Sequence, residues 1–209
     1  MSALQQLEDG LTLGVEEEYL LICPETGDAK SNPPRGFFKA CKDQLGKRVT
    51  PEFLRCQIEI ATDVCETAAD VRQQLVEMRG VLAETAKAFD LNLMAASTHP
   101  FAQWEDQKAT RGARYAQLSR DMRGAIHRMM ICGMHVHVGL KEPNLRIEVM
   151  NQMRYFLPHM LALSASSPFW DSQSMGMHAY RLSVFDGMPR TGMPETMASW
   201  AEYKRLIDT

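Results

Sequence analysis

The sequence predicts an α+β fold, a mainly antiparallel sheet with helices packed on one face. Three observations carry that expectation. Several short segments alternate apolar and polar residues with the period of two that a half-buried strand requires. One long segment switches to the period of a helix that lays a single stripe on a sheet. Each strand keeps a polar face, which leaves one side of the sheet uncovered. With 209 residues, 45% of them hydrophobic and 23% charged, the chain can enclose one sizeable core, and 1–209 is read as a single domain.

Residues 11–22, LTLGVEEEYLLI, open the sheet. Leu11, Leu13, Val15, Tyr19 and Leu21 share one face, and Thr12, Gly14, Glu16 and Glu18 share the other. Glu17 falls on the apolar side in this phase, which marks it as a salt-bridge partner or a bulge. The segments CPETGD and SNPPRG make 23–36 turn and loop. A second strand, FLRCQIEI at 53–60, puts Leu54, Cys56, Ile58 and Ile60 opposite Arg55, Gln57 and Glu59. From Ala68 to Phe89 the residues Val71, Leu75, Met78, Leu82 and Phe89 form a helical stripe behind Thr67 as N-cap. LNLMAAS at 91–97 reads as a short strand ending at Thr98-His99-Pro100, and 113–130 as a helix. The third clear strand is ICGMHVHVGL at 131–140: Cys132, Met134, Val136, Val138 and Leu140 are its apolar set, and Gly133, His135, His137 and Gly139 face the other way. A helix follows over 145–165, interrupted or kinked by Pro158. Ser, Gly, Met and Pro fill 168–194, predicting loops that line a site, before a last helix over 195–207.

Composition excludes several function classes. A formal charge of −3 with both signs mixed along the chain provides no basic stripe for nucleic acid. The start MSALQQLEDG has no leader pattern and no later run approaches a membrane span, so no membrane partner is expected and the cytoplasm is the expected location. Five cysteines, Cys23, Cys41, Cys56, Cys65 and Cys132, form no Cys-x-x-Cys pair, which argues against a disulfide framework and a zinc knuckle and for reduced, core-filling thiols.

Chemistry concentrates on the polar faces. Three strands place Glu16 and Glu18, Glu59, and His135 and His137 opposite their apolar sets. Two carboxylates at i and i+2 of a strand stand about 6.6 Å apart and repel by about 2.5 kcal/mol at an effective dielectric of about 20. Bulk water, a neighbouring cation or a raised pKa on one acid can each relieve that repulsion. An acid-rich face with a histidine suits Mg²⁺ or Mn²⁺. A solvated strand face accounts for the glutamate pair alone equally well, and His-x-His alone is a weak signal.

At these residues the sequence resembles the glutamate-cysteine ligase type 2 family. Leu13-Gly14-Val15-Glu16-Glu17-Glu18 is similar to the family's Gly-x-Glu-x-Glu start, and Thr50-Pro51-Glu52-Phe53 with Gln57-Ile58-Glu59-Ile60-Ala61-Thr62 to its second acidic motif. Gly133-Met134-His135 resembles its Gly-x-His strand, and Gly112-Ala113-Arg114-Tyr115 with Leu118 and Arg120 the arginine-bearing segment before it. The stretch 164–170, Tyr180-Arg181 and Gly192-Met193-Pro194 resemble the carboxylate-amine ligase branch. The resemblance implies a glutamine-synthetase-like fold whose sheet holds metals, ATP and an amino acid. It implies Glu16, Glu18, Glu52, Glu59 and His135 as metal ligands, Arg120 against a substrate carboxylate or phosphate, and Arg181 in the same kind of contact, with His137 behind the ligands.

The implied reaction is ATP-dependent: an acyl phosphate forms on glutamate and an amine such as cysteine attacks it, with Mg²⁺ or Mn²⁺ on the phosphates. Family members are considerably longer than this chain, so the resemblance also implies the N-terminal portion of a catalytic domain, with an incomplete sheet whose exposed edge favours a homo-oligomer. Two rival readings stand beside the ligase: a catalytically inactive metal- or nucleotide-binding or regulatory module, and a zinc hydrolase built on His135 and His137, for which the face is too rich in acids.

Overall fold

The structure, a computed structural model, describes residues 10–122, 124–189 and 191–208; residues 1–9, read above for a leader, lie outside them. Its organising strand is β1 (Thr12–Ile22), bordered on both edges by antiparallel partners. On one edge it pairs with β3 (Gln57–Ala61), which pairs with β2 (Val49–Pro51). The other edge is shared: β4 (Asn92–Met94) pairs along Leu20–Ile22, and β5 (Met134–Gly139) along Thr12–Glu17. The antiparallel α+β class expected from the sequence is the one the chain adopts.

The apolar face of β1 and β3 is covered by α1 (Phe37–Leu45) and α2 (Ala68–Ala88). Val15, Tyr19, Leu21, Ile58 and Ile60 meet Phe37, Cys41, Leu75, Met78 and Leu82 there. The predicted stripe of α2 is the buried one. Thr67 caps it with a reciprocal pair: its hydroxyl accepts from Asp70 N and the Asp70 carboxylate accepts from Thr67 N, an arrangement that satisfies two otherwise orphaned donors. Helix α1 was not expected, although Phe37, Cys41 and Leu45 recur every four residues and are its buried set.

A second cluster covers the opposite face of the sheet at its Leu20 end, where Leu20 meets Phe53, Leu54, Cys56, Ile126, Met130, Cys132 and Trp170. The open part of that face is therefore the stretch from Thr12 to Glu18. This cluster also explains why the strand expected at 53–60 begins only at Gln57. Leu54 folds back in a turn, with Gln57 N donating to its carbonyl at 3.0 Å, and Leu54 and Cys56 pack into the second cluster while Ile58 and Ile60 pack into the first.

Other elements depart from expectation for local reasons. Within the helix expected at 113–130, Ala113–Met122 (α3) and Gly124–His127 (α4) are helical, and the helical stretch ends at His127, short of 130. The helix expected at 145–165 is two, α5 (Pro143–Met153) and α6 (Leu157–Leu163); Pro158 lies in the first turn of α6, where no N–H is needed. The expected loop region holds a hairpin, β6 (Phe169–Trp170) and β7 (Gln173–Ser174), turned by Asp171 and Ser172 at φ 53° and 62°, then α7 (Arg181–Phe185). The last helix, α8 (Trp200–Ile207), starts after Ser199, whose hydroxyl accepts from Glu202 N.

One correction concerns β5. Met134, Val136 and Val138, expected to be buried, are 59%, 58% and 51% exposed. The strand lies at the edge of the sheet, and α1 and α2 pack over β1 and β3 without reaching it. All five cysteines are free thiols and four are buried, as expected. Among the described residues, no helix is long and apolar enough to cross a membrane.

Candidate metal centre

Strand register assembles the site. Glu59 of β3 stands opposite Glu18 on one side and Thr50 of β2 on the other; His135 and His137 of β5 stand opposite Glu16 and Gly14. Glu16 and Glu18 share parity on β1, so all these groups project from one face. Glu52 follows β2 directly. Its place is fixed by a clamp from α3 and the segment ahead of it, in which Thr110 Oγ1 donates to Glu52 O at 2.6 Å and Tyr115 OH to Pro51 O at 2.5 Å, and by its own neighbour, Phe53 N donating to Glu52 Oε2 at 3.2 Å.

Among the described residues two groups of potential ligands result, Glu16 with Glu59 and His135, and Glu18 with Glu52 and Glu59. Within each, the candidate atoms lie within 4.8 Å of one another. That spread is close to the span of about 4.2 Å available around an ion with metal–oxygen distances of about 2.1 Å. Glu59 belongs to both groups. The second is all carboxylate, a donor set that fits a hard, oxygen-seeking ion such as Mg²⁺ or Mn²⁺ better than zinc.

The electrostatics show what the arrangement lacks. Burial, together with the neighbouring charges of Glu52 and Glu59, pushes the Glu18 carboxyl up to about 7, even though Gly133 N donates to its Oε2 at 2.8 Å. Glu52 is also raised, by burial first and by Glu59 second. Glu16 moves the other way: burial raises it, but the hydrogen bonds and charges of His137 and His135 outweigh that and leave it lowered. Both imidazoles meet its Oε2, His137 through Nε2 at 3.1 Å and His135 through Nδ1 at 3.2 Å. On this face, then, the imidazoles compensate Glu16, whereas Glu18 and Glu52 stay raised.

Glu17, on the apolar face, is 5% exposed. Arg79 of α2 grips both its oxygens, with Nε to Oε2 at 2.8 Å, and Tyr19 OH donates to Oε2 at 2.6 Å. It is the salt-bridge partner that its phase suggested.

Of the residues singled out from the sequence, Glu16, Glu18, Glu52, Glu59 and His135 come together. Arg181, at the start of α7, lies beside them: it donates to Cys132 O at 3.4 Å and Ser164 Oγ at 3.5 Å, and its Nη1 and His135 Nε2 both border the open side of Gly133. Arg120 is exposed on α3 and donates to Gln117 Oε1; the α3 charge that acts on Glu52 is Arg114. Sequence reasoning missed three supporting groups. Gln57, on the same strand parity as Glu59, is 3% exposed and donates to Ile131 O at 2.6 Å, tying β3 to the chain before β5. Gly133 supplies the N–H on Glu18, and Thr50 Oγ1 donates to Glu59 Oε1 at 2.9 Å. Parity placed Gln57 on the polar face with Glu59 but not its bond to Ile131 O, and a backbone donor leaves no mark in a sequence.

Comparison with known proteins gives concordant matches. The family model for glutamate-cysteine ligase family 2 matches residues 12–209. A curated protein of Jannaschia sp. strain CCS1, which carries the provisional name glutamate–cysteine ligase 2, is 51% identical over 201 residues, 96% of this chain and 53% of its own length. The chain spans about half the length of the curated relatives it matches. Among solved structures, a bifunctional glutathione synthetase from Pasteurella multocida shares the fold with TM-score 0.70 at 13% identity, over 95% of this chain and 29% of that one. A glutamate–cysteine ligase from Francisella tularensis in complex with AMP shares it with TM-score 0.61 at 16% identity, over 76% and 35%.

Proposed function

This chain belongs to glutamate-cysteine ligase family 2, and from that premise we propose that its acidic sheet face is the metal- and nucleotide-holding part of an ATP-dependent carboxylate-amine ligase. The observation that carries the reading is Glu59, which stands in both ligand groups and so offers one carboxylate to two ion positions. Glu16, Glu59 and His135 would hold one ion, and Glu18, Glu52 and Glu59 the other. Mg²⁺ or Mn²⁺ bound there supplies charge neutralisation for phosphoryl transfer. The AMP held by the Francisella relative supports the nucleotide part of the reading.

In the proposed reaction ATP phosphorylates the γ-carboxylate of glutamate. An amine such as cysteine then attacks the acyl phosphate, a C–N bond forms and phosphate leaves. This chain's part is to place and compensate charge, which is where most catalysis of phosphoryl transfer resides. Arg181, beside His135, would take a substrate carboxylate or phosphate; Arg120 is proposed for the same contact on the strength of the family resemblance. The Thr110 and Tyr115 clamp keeps Glu52 in range, and the Gly133 N–H orients Glu18.

Calorimetric titration with Mn²⁺ and a non-hydrolysable ATP analogue tests the reading. Wild-type protein should bind the metal, and Glu16→Ala and Glu59→Ala should weaken it, Glu59→Ala the more. Absence of binding by every form would leave only a solvated acidic face. Phosphate release from ATP with glutamate and a panel of amines then separates a working ligase from a module that binds without turnover.

A further inference from the structure

Among the described residues His99 is the one buried imidazole, at 1% exposure, and the metal centre does not use it. It opens a corner, 99–102, directly after Ser97 and Thr98, which border Cys132 and Ile131. Its hydrogen bonds fix its tautomer. Nδ1 meets Ala102 N at 3.0 Å and Phe101 N at 3.3 Å, and an amide N–H can only donate, so Nδ1 is bare. Nε2 meets Gly27 O at 2.9 Å, and a carbonyl can only accept, so the proton sits on Nε2. Phe101 packs edge-on against the imidazole with ring centroids 4.6 Å apart. One neutral ring thereby joins the turn that follows β1 to the 99–102 corner. The β6–β7 hairpin hangs on the same corner: Ser172 N donates to Pro100 O at 3.0 Å, and Thr98 Oγ1 to Phe169 O at 2.9 Å.

We infer that His99 is an acid-sensitive staple: as a neutral ring it holds turn, corner and hairpin together, and as a cation it releases them while the sheet stays folded. The inference stands apart from the ligase reading. A second proton can go only to Nδ1, which then points an N–H at two N–H groups. Both amides lose their acceptor, and the ring becomes a buried cation. Such a charge is relieved when the ring reaches water, and leaving its seat breaks the Gly27 bond as well. Little nearby could hold the cation in place. From the turn, Asp28 acts on the ring, but its carboxylate is exposed and the bond to the ring runs through Gly27 O. Glu25 of the same turn and Asp171 of the hairpin are exposed, Cys23 and Lys30 flank the turn, and Pro100, Phe101 and Ala102 of the corner carry no charge. Burial therefore outweighs the Gly27 carbonyl and Asp28 and holds the imidazole below its ordinary 6.5. A group lowered in this way contributes stability that is fully present above 6.5 and is lost as pH falls through its folded value.

The test follows the ¹⁵N-labelled 209-residue protein from about pH 7.5 to about pH 4, reading imidazole nitrogen shifts and amide protection against hydrogen exchange. At the upper end His99 should show a bare Nδ1 and a protonated Nε2. As pH falls below 6.5, protection at Phe101, Ala102 and Ser172 should drop by at least about tenfold. Leu21 N, which donates to Cys56 O within the sheet region, should stay protected. His99→Asn offers an amide oxygen near the Nδ1 position and has no proton to gain, so the response to acid should vanish. His99→Phe keeps a ring without an acceptor, so Phe101 and Ala102 should be unprotected at every pH; should this variant not fold, the asparagine variant decides. A proton on Nδ1 at neutral pH, protection of the wild-type corner down to the acid end, or loss of the corner amides together with Leu21 overturns the proposal. So does an unchanged acid response in His99→Asn, or a protected corner in His99→Phe.

Discussion

Glu17 and its neighbour Glu18 are one residue type on one strand, held in opposite electrostatic settings. Glu17 is buried and raised by that burial, yet Arg79 and Tyr19 more than offset it and hold its carboxyl below the ordinary range. Glu18, also desolvated, faces Glu52 and Glu59 and is pushed up to about 7. On the core side the protein compensates its own charge. On the open side two imidazoles compensate Glu16, while compensation of Glu18 and Glu52 is left to something that binds. A carboxylate's role here follows from which face it occupies and what faces it.

The sharpest way to break this contrast is to remove the shared ligand. Glu59→Ala should lower Mn²⁺ affinity by at least about 100-fold, more than loss of an outer-shell partner costs, and should leave thermal stability intact because it relieves crowding. Glu17→Ala should do the reverse, unfolding earlier while binding Mn²⁺ as before. If calorimetry finds equal metal losses in the two variants, the two faces are not separate.

Next in size is Arg79→Ala, which strands a buried carboxylate. Breaking a fully buried pair costs about 3–5 kcal/mol, but Arg79 is 52% exposed, so urea unfolding should show a loss of about 2 kcal/mol. The double variant Glu17→Leu/Arg79→Met should recover most of it, since an apolar pair leaves no charge to compensate.

A smaller effect sharpens the comparison through pH. A Glu18 carboxyl near 7 must lose its proton before an ion can use it, so Mn²⁺ affinity should rise by about tenfold between pH 6 and 8 and level off above. In metal-free protein the two acids pull stability in opposite directions. Glu18, raised from an ordinary 4.5 to about 7, contributes stability that is fully present below 4.5 and lost as pH rises through 7. Glu17, lowered from 4.5, contributes stability present above 4.5 and lost as pH falls through its folded value. Unfolding by denaturant across this range should show the Glu18 term vanish in Glu18→Gln and the Glu17 term vanish in Glu17→Gln. Smallest is Thr50→Val, which removes one hydrogen bond to Glu59 and should cost about threefold in Mn²⁺ affinity.

Much of this was legible in the sequence because β1 and α2 obey simple periods. The parity of Glu16 and Glu18 placed them on one face, Glu17's phase placed it against the core, and Thr67 marked the start of α2. The turn at Phe53–Cys56 was not legible, since two residues that alternate like a strand can instead serve a second core. The exposure of Met134, Val136 and Val138 was equally hidden: an alternating pattern says that a strand has an apolar face, not that anything lies on it. Ser199-Trp200-Ala201-Glu202 did carry a helix-start signature, and the composition of the preceding stretch obscured it. Arg120 and Arg181 came from the family resemblance alone, and side-chain placement on short helices is beyond what periodicity can supply.

The pairing of β1 with three partners has a consequence for how the chain avoids error as it folds. Sliding this strand by one residue would exchange its faces, driving two glutamates into the hydrocarbon of α1 and α2 and exposing Val15, Tyr19 and Leu21 to water. Hydrophobic collapse therefore proofreads the alignment that lines up Glu16, Glu18 and Glu59. A correctly spaced set of carboxylates arrives as a by-product of a correctly threaded core, before any ion is met.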